Sequence, residues 1–309
     1  MGRDAQPKST AAAPALLMGT GLSSGGFPFH ATRIGFCRGM ESCPWRWIPA
    51  FLCPAMANYP DLRGKTVLIT GGANGIGAAM VRAFHGQTGT SGSRARVAFC
   101  DTDEVAGARL VRELGGSVDF QQVDLRKESE VKRWIAKVAG REKRIGVLIN
   151  NAAADPRMAL EKTTTKAWDD LFARNLRAFF LTCRAASKWM GEGSSIINFS
   201  SITFHTAPAP MTAYVSTKAG IVGFTRALAR ELGPRRIRVN VISPGWIMTE
   251  RQLKQFVTRQ VKRLIRRSQC VPDLIQPREI AEIALFLASD ASSALTGQEI
   301  LADRGWAFS

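Results

Sequence analysis

The stretch that most constrains this chain is Thr70-Gly71-Gly72-Ala73-Asn74-Gly75-Ile76-Gly77, set between the apolar run Val67–Ile69 and a helical stretch reaching His85. Glycines at these positions allow a tight turn from strand to helix. They also let backbone N–H groups approach a pyrophosphate at the helix N-terminus. The spacing is GxxxGxG rather than the commoner GxGxxG fingerprint. Taken alone, such a turn can do no more than join a strand to a helix, so its meaning depends on the rest of the chain.

Beyond His85 the pattern is regular. Apolar runs at Val97–Cys100, Val118–Val123, Val147–Ile149, Ile196–Phe199 and Ile237–Ile242 read as strands. Between them lie helical stretches at Glu104–Leu114, through Val138, over about Lys166–Met190 and over about Tyr214–Leu232. Short apolar strands alternating with amphipathic helices imply a parallel sheet covered on both faces. The expected fold is α/β, a single Rossmann-type doubly wound sheet occupying about residues 60–309, without internal repeats.

Asp101 closes the second strand, where a carboxylate can accept hydrogen bonds from an adenosine ribose and repel a 2′-phosphate, favouring NAD over NADP. It also suits a helix N-cap or turn, since Thr102 and Asp103 come next, and both roles can hold. The distance from Thr70 to Asp101 is longer than such units usually need, and the excess lies in a Gly/Ser/Thr-rich insertion at Gly86–Arg94.

Residues 1–58 differ in kind. They carry Ala, Gly and Ser clusters, prolines at Pro44, Pro49 and Pro54, and little periodicity, so no long helix forms there. The expectation is an unpacked leader, with three origins open: disorder, a targeting peptide, or an over-long gene start with the biological start at Met56. The formal charge of +17 invites a nucleic-acid reading. The densest basic group (Lys254, Arg259, Lys262, Arg263, Arg266, Arg267) lacks interleaved aromatics and a known binding module, so the expectation is no nucleic-acid partner. The six cysteines form no CxxC pair and no zinc spacing, which points to no metal and a reducing, cytoplasmic setting. No run of apolar residues is long enough for a membrane span.

The chain has two tyrosines, and Tyr59 precedes the first strand. The other begins Tyr214-Val-Ser-Thr-Lys218. On a helix this i, i+4 pair makes the phenol and the ammonium neighbours, and the cation is expected to lower the tyrosine pKa toward working pH. Tyr214 then becomes a usable acid–base. Ser201 ends a strand at the edge where ligands bind in such sheets, able to hydrogen-bond a reacting oxygen or to serve as an ordinary turn residue. Asn175 lies within the apolar stripe Trp168, Leu171, Phe172, Leu176, Phe179, where a buried amide serves either packing or function.

Thr70–Gly77, Asn150-Asn151-Ala152, Asn175, Ser201, Tyr214-xxx-Lys218 and Pro244-Gly245-xxx-Thr249 together resemble the short-chain dehydrogenase/reductase family, in the family's order. The resemblance implies a catalytic set of Asn175, Ser201, Tyr214 and Lys218. Tyr214 exchanges the proton, Ser201 steadies the substrate oxygen, Lys218 holds the nicotinamide ribose, and Asn175 anchors a proton-relay water. It further implies that Gly71, Asn74, Ile76 and Gly77 cradle the cofactor and Asp124 and Leu125 bracket its adenine. Asn151 and Ala152 lie beside it, and Ile247 and Thr249 meet the carboxamide. Asn74 stands where NADP-preferring relatives often carry a basic residue, in agreement with Asp101 on NAD. Ala153 departs from the family's glycine after Asn-Asn-Ala. The family also implies a homotetramer through the helices at 166–190 and 214–232.

Within the family, the stretches Ile197–His205, Arg266–Cys270 and Thr296–Trp306 look most like bacterial aldose 1-dehydrogenases, D-xylose 1-dehydrogenase in particular. That implies oxidation of a small-molecule sugar at its anomeric hydroxyl to a lactone. His205 and Trp246 are candidates for the sugar pocket, His205 alternatively lying in a surface loop and Trp246 in the core. A basic helix at 254–267 is expected to form part of a lid, leaving an anionic polyol or hydroxyacyl substrate as the second reading. A protein that binds NAD without catalysis is the alternative from another class.

Overall fold

The computed structural model describes residues 56–87 and 94–308. The leader through residue 55, with Cys37, Cys43 and Cys53, and most of the Gly86–Arg94 insertion lie outside the described residues. The chain runs through β1 (Thr66–Thr70), α1 (Gly75–His85), β2 (Arg96–Asp101), α2 (Glu104–Glu113), β3 (Asp119–Gln122), α3 (Glu128–Glu142) and β4 (Val147–Asn150). There follow α4 (Thr165–Phe172), α5 (Ala178–Ala186), β5 (Ser195–Phe199), α6 (Thr203–Thr206), α7 (Thr212–Leu232) and β6 (Arg238–Pro244). The chain closes with α8 (Glu250–Gln255), α9 (Arg259–Ser268), α10 (Pro277–Ala288) and β7 (Glu299–Ala302).

All seven strands are parallel, in the order β3-β2-β1-β4-β5-β6-β7. The central strands are buried on both faces, which is why they read as unbroken apolar runs. Alternate residues go to opposite layers. Val67 and Ile69 pack with α1, α2 and α10, whereas Leu68 packs with α3, α5 and α7. The sheet is therefore doubly wound with helices on both faces. Between β1 and β4 the strand order reverses, and a ligand crevice opens beyond the carboxyl ends of the strands at such a point.

Four elements depart from the sequence reading. The long helix over Lys166–Met190 is two helices, α4 and α5, joined by a π-helical turn at Ala173–Arg177. The basic stretch at 254–267 is also two, because α8 stops at Gln255 and Thr258 caps α9 by accepting from Val261 N. The helix α10 and edge strand β7 had no counterpart in the sequence reading. Strand β7 is short and half-buried, so its apolar signal is weak.

Candidate active site

A cavity of about 1140 Å³ lies at the carboxyl ends of the strands. Its lining runs from the turn after β1, past the ends of β2 and β3, to the ends of β5 and β6 and the helix α8.

At one end, the turn after β1 is shaped by close backbone approach. Gly71 has φ +65°, and a Cβ on it would stand 2.8 Å from Ala152 Cα; a Cβ on Gly77 would stand 1.8 Å from Gly71 O. Neither position tolerates a side chain. Asn151 clamps the same turn from β4, donating from Nδ2 to Thr70 O (3.2 Å) and Gly71 O (3.0 Å), while Thr70 Oγ1 accepts from Asn151 N at 3.0 Å. The N-cap Asn74 gives α1 no side-chain cap; its amide donates instead to Asp103 Oδ2 at 3.0 Å. The first-turn N–H groups of α1, at Gly75, Ile76 and Gly77, therefore have no cap, and these residues line the cavity. An anionic group such as a diphosphate fits that end.

Asp101 does both things its position allows. Its carboxylate accepts from Ala73 N (3.0 Å) and Asp103 N (3.2 Å), and it still lines the cavity. Asp103, not Asp101, is the N-cap of α2, accepting from Ala106 N at 3.0 Å. Asp124 and Leu125 come after β3 on the same wall. Arg126 is hydrogen-bonded to Asp124 and holds its carboxyl below the usual carboxylate range. Ile247 is buried beneath the far side of the cavity, and Thr249 caps α8 by accepting from Gln252 N at 3.3 Å.

At the other end, α7 carries Tyr214 and Lys218 to the end of β5. Ser201 lies beside the Tyr214 hydroxyl, close enough to oppose the rise in its pKa. Lys218 Nζ stands 5.6 Å from the Tyr214 ring centroid and donates to Phe199 O at 2.9 Å. Neighbouring Ser200 Oγ donates to Lys218 O at 2.8 Å, fastening α7 to β5 a second time.

The electrostatics correct the expectation for Tyr214. Burial raises its phenol above the ordinary value, the Asp155 charge adds to this, and Ser201 opposes it. Burial also pulls the Lys218 ammonium down to about 7. The i, i+4 spacing does make the pair neighbours, but it also puts both groups in the interior, where desolvation of each charged form outweighs their attraction.

Asn175 is fully buried within the π-helical turn, a feature often found where a helix serves a site. Its Oδ1 accepts from Ala154 N (2.8 Å), and its Nδ2 donates to Ala154 O (2.9 Å) and Thr217 Oγ1 (3.1 Å). Both amide hydrogens are thus used to brace the loop after β4 against α7, behind Tyr214 and Lys218.

The two candidate sugar-pocket residues part company. Trp246 lines the cavity, its Nε1 donating to Gln252 Oε1 at 3.1 Å. His205 does not line it. In the short helix α6 the neighbours Thr203 and Thr206 face the cavity, three residues apart, and His205 turns away. Its Nε2 lies 2.9 Å from Glu299 Oε1 on β7, and Ser243 Oγ donates to the same oxygen at 2.6 Å. The sequence reading missed β7, and with it the buried partner that draws His205 away from the cavity. It also missed Asp155, Arg157, Gln252 and Trp306, all on the cavity wall. Asp155 and Arg157 lie close enough behind Asn151 that their position was the only available signal.

Residues 71–307 match a family model described as enoyl-(acyl carrier protein) reductase. The chain belongs to the short-chain dehydrogenase/reductase family. It is 40% identical over 255 residues to "Probable galactose dehydrogenase GalD" of Rhizobium meliloti, covering 81% of this chain and 97% of that one. It is 38% identical over 255 residues to D-xylose 1-dehydrogenase of Caulobacter vibrioides, covering 81% and 98%. Among solved structures, a blue fluorescent protein from a metagenomic library in complex with NADPH aligns with TM-score 0.73 and 30% identity, covering 80% of this chain and 100% of that one. The chain is thus an oxidoreductase of a family that binds a nicotinamide cofactor. Among the described residues, no group of three His, Cys, Asp or Glu could hold a metal ion, and no helix is long and apolar enough to cross a membrane.

Proposed function

We propose that this oxidoreductase oxidises a neutral aldose at its anomeric carbon to the lactone, with NAD as cofactor. The observation that carries the reading is the convergence of Ser201, Tyr214 and Lys218 at the substrate end of a cavity whose other end suits a diphosphate. The sugar-dehydrogenase names of two relatives narrow it to aldoses.

In this reading the uncapped turn of α1 (Gly71, Asn74, Ile76, Gly77) holds the diphosphate, and Asp101 accepts from the adenosine ribose. Asp124 and Leu125 flank the adenine, with Asn151 and Ala152 beneath. Ile247 and Thr249 meet the carboxamide, and Lys218 and Tyr214 meet the second ribose. When bound, the nicotinamide supplies the hydride acceptor. Ser201 holds the anomeric oxygen while Tyr214 takes its proton, and the carbonyl forms as the C–H bonding pair departs as hydride. An anomeric hydroxyl is more acidic than an ordinary alcohol, which eases transfer to a phenolate. Trp246 offers the sugar a flat face, and Asn175 acts as a brace. The protein works in the cytoplasm as a homotetramer through α4, α5 and α7, where Phe180 on α5 and Trp189 just beyond its end remain partly exposed.

Because burial raises the Tyr214 phenol, the phenolate needed for oxidation forms only as pH climbs, so kcat/KM for oxidation rises through the alkaline range. Initial rates with D-xylose, L-arabinose, D-galactose and L-fucose test the substrate. No NADH formation from any of them ends the aldose reading. The cofactor is tested by comparing kcat/KM for NAD and NADP. Asp101→Ala is expected to shrink the preference for NAD by about tenfold as the repelling carboxylate is removed, and equal efficiency with both cofactors in the parent protein defeats the NAD assignment.

A further inference from the structure

Asp155 has no part in the chemistry above, yet it occupies a distinctive place. The amide of Asn175 grips both the N–H and the C=O of Ala154, so the backbone from which the next side chain enters the cavity is fixed. The Asp155 carboxylate accepts a long hydrogen bond from Gln252 Nε2 at 3.3 Å. Its other oxygen lies 2.5 Å from Arg251 Nη1 as an ion pair, but no donor meets that oxygen at hydrogen-bonding angles. That oxygen is buried against Arg251, so the acceptor capacity left for a ligand is on Oδ2, which carries only the Gln252 bond.

The neighbouring charges are already engaged. Arg157 is spread over the rings of Phe256 (4.1 Å) and Trp246 (5.4 Å), and Arg251 is neutralised by Asp155 itself. Among the other acidic residues on the wall, Asp101, Asp103 and Asp124 stand at the ends of β2 and β3, and Glu250 pairs with Lys254 at 2.7 Å. Asp155 is the acidic residue whose charge reaches both Tyr214 and Lys218. Asp155 lines the same cavity as Ser201 and Tyr214, so a hydroxyl compound seated against Tyr214 shares that cavity with it.

We propose that Asp155 is the specificity-determining residue of this site: its carboxylate accepts hydrogen bonds from hydroxyls next to the one being oxidised, and by occupying Arg251 it denies carboxylated substrates a cationic partner. This rests on the oxidoreductase reading of the cavity and not on the identity of the aldose. A site built to bond a hydroxyl discriminates against analogues lacking it, because the buried acceptor is then left unpaired. Loss of the charge also frees Arg251, so the same change that weakens the grip on polyols creates a site for anions.

The test uses the full-length chain with NAD and two substrate pairs, D-galactose against D-galacturonate and trans-cyclohexane-1,2-diol against cyclohexanol. Asp155→Asn, which is nearly isosteric, is expected to reduce the kcat/KM preference for diol over monool, and for galactose over galacturonate, by about tenfold or more. The acid limb of the oxidation profile moves to lower pH, because a charge that keeps Tyr214 protonated is removed. The charged groups facing that phenol, Lys218 and Arg251, are unchanged in the variant. Gln252→Ala, which keeps the carboxylate but loosens it, is expected to lose part of the diol preference and still reject galacturonate. Unchanged ratios in Asp155→Asn overturn the proposal, as does a parent protein with no preference for the diol. Turnover of the cyclohexane pair without any aldose overturns the aldose reading alone, and this proposal then stands or falls on the diol ratio. Turnover of neither pair and of none of the four aldoses overturns both.

Discussion

The two ends of the cavity are built on different principles. The end beyond β1 is made of backbone: Gly71 and Gly77 leave no room for a Cβ, and Asn151 clips the turn by its carbonyls. The end beyond β5 and β6 is made of side chains brought from distant segments, with Asp155 meeting Arg251 and Gln252, and Arg157 lying over Trp246 and Phe256. Backbone sterics leave a signature within eight consecutive residues. Side-chain meetings leave none until the chain is folded. The contrast also suggests how such an enzyme changes substrate, since the second end can be rewritten without disturbing the first.

The sharpest way to separate the two ends is to remove the reacting oxygen. Tyr214→Phe keeps the ring and its packing, so turnover is expected to fall by ~10²–10⁴ while NADH binding, read by fluorescence titration, persists. A variant retaining more than about a tenth of the rate would place acid–base catalysis elsewhere. Damage at the backbone end should look different. Gly77→Ala forces a Cβ toward Gly71 O, so cofactor binding is expected to weaken by about tenfold or more and the Tm to fall by several degrees.

Lys218→Met probes the cost of burying a charge. Its folded pKa of about 7 lies below the ordinary lysine value of 10.5, so between these values the unfolded chain binds a proton that the folded chain does not. Stability of the parent protein therefore rises with pH across that window, and the methionine variant lacks this dependence. Urea denaturation should show the variant no less stable at pH 6.5, with its relative position worsening by about 2 kcal/mol by pH 9. A flat difference would mean that Lys218 is not buried as a titrating group. The smallest effect on activity is expected at His205. Because it pairs with Glu299 outside the cavity, His205→Ala should change KM by less than about threefold and cost about 1–2 kcal/mol of stability. A large KM effect would return His205 to the substrate end.

Much of the sheet was legible because buried parallel strands are apolar on both faces, as Val67–Ile69 and Ile196–Phe199 are. Edge strand β7 was not, since half-burial leaves Glu299–Ala302 without such a run. The break at Ala173–Arg177 was also invisible. Apart from Asn175 its residues are good helix formers, and the π-helical turn coincides with the tertiary bonds that Asn175 makes to Ala154 and Thr217. Neighbourhood of Tyr214 and Lys218 could be read from helical spacing, but not the effect on their pKa values. Spacing reports which groups adjoin, whereas desolvation depends on everything packed around them.

The sequence by itself determined the doubly wound parallel fold, the glycine turn between β1 and α1, the placement of Ser201 at the crevice, and the adjacency of Tyr214 and Lys218 on one helix. Each arises from local sterics or from the period of apolar residues along one segment. Only the tertiary structure decided that Asn175 braces Ala154, that His205 faces β7, and that Asp155 meets α8. Those outcomes depend on contacts between residues 21, 94 and 97 positions apart, where no local periodicity carries information and the packing of whole layers chooses the partner.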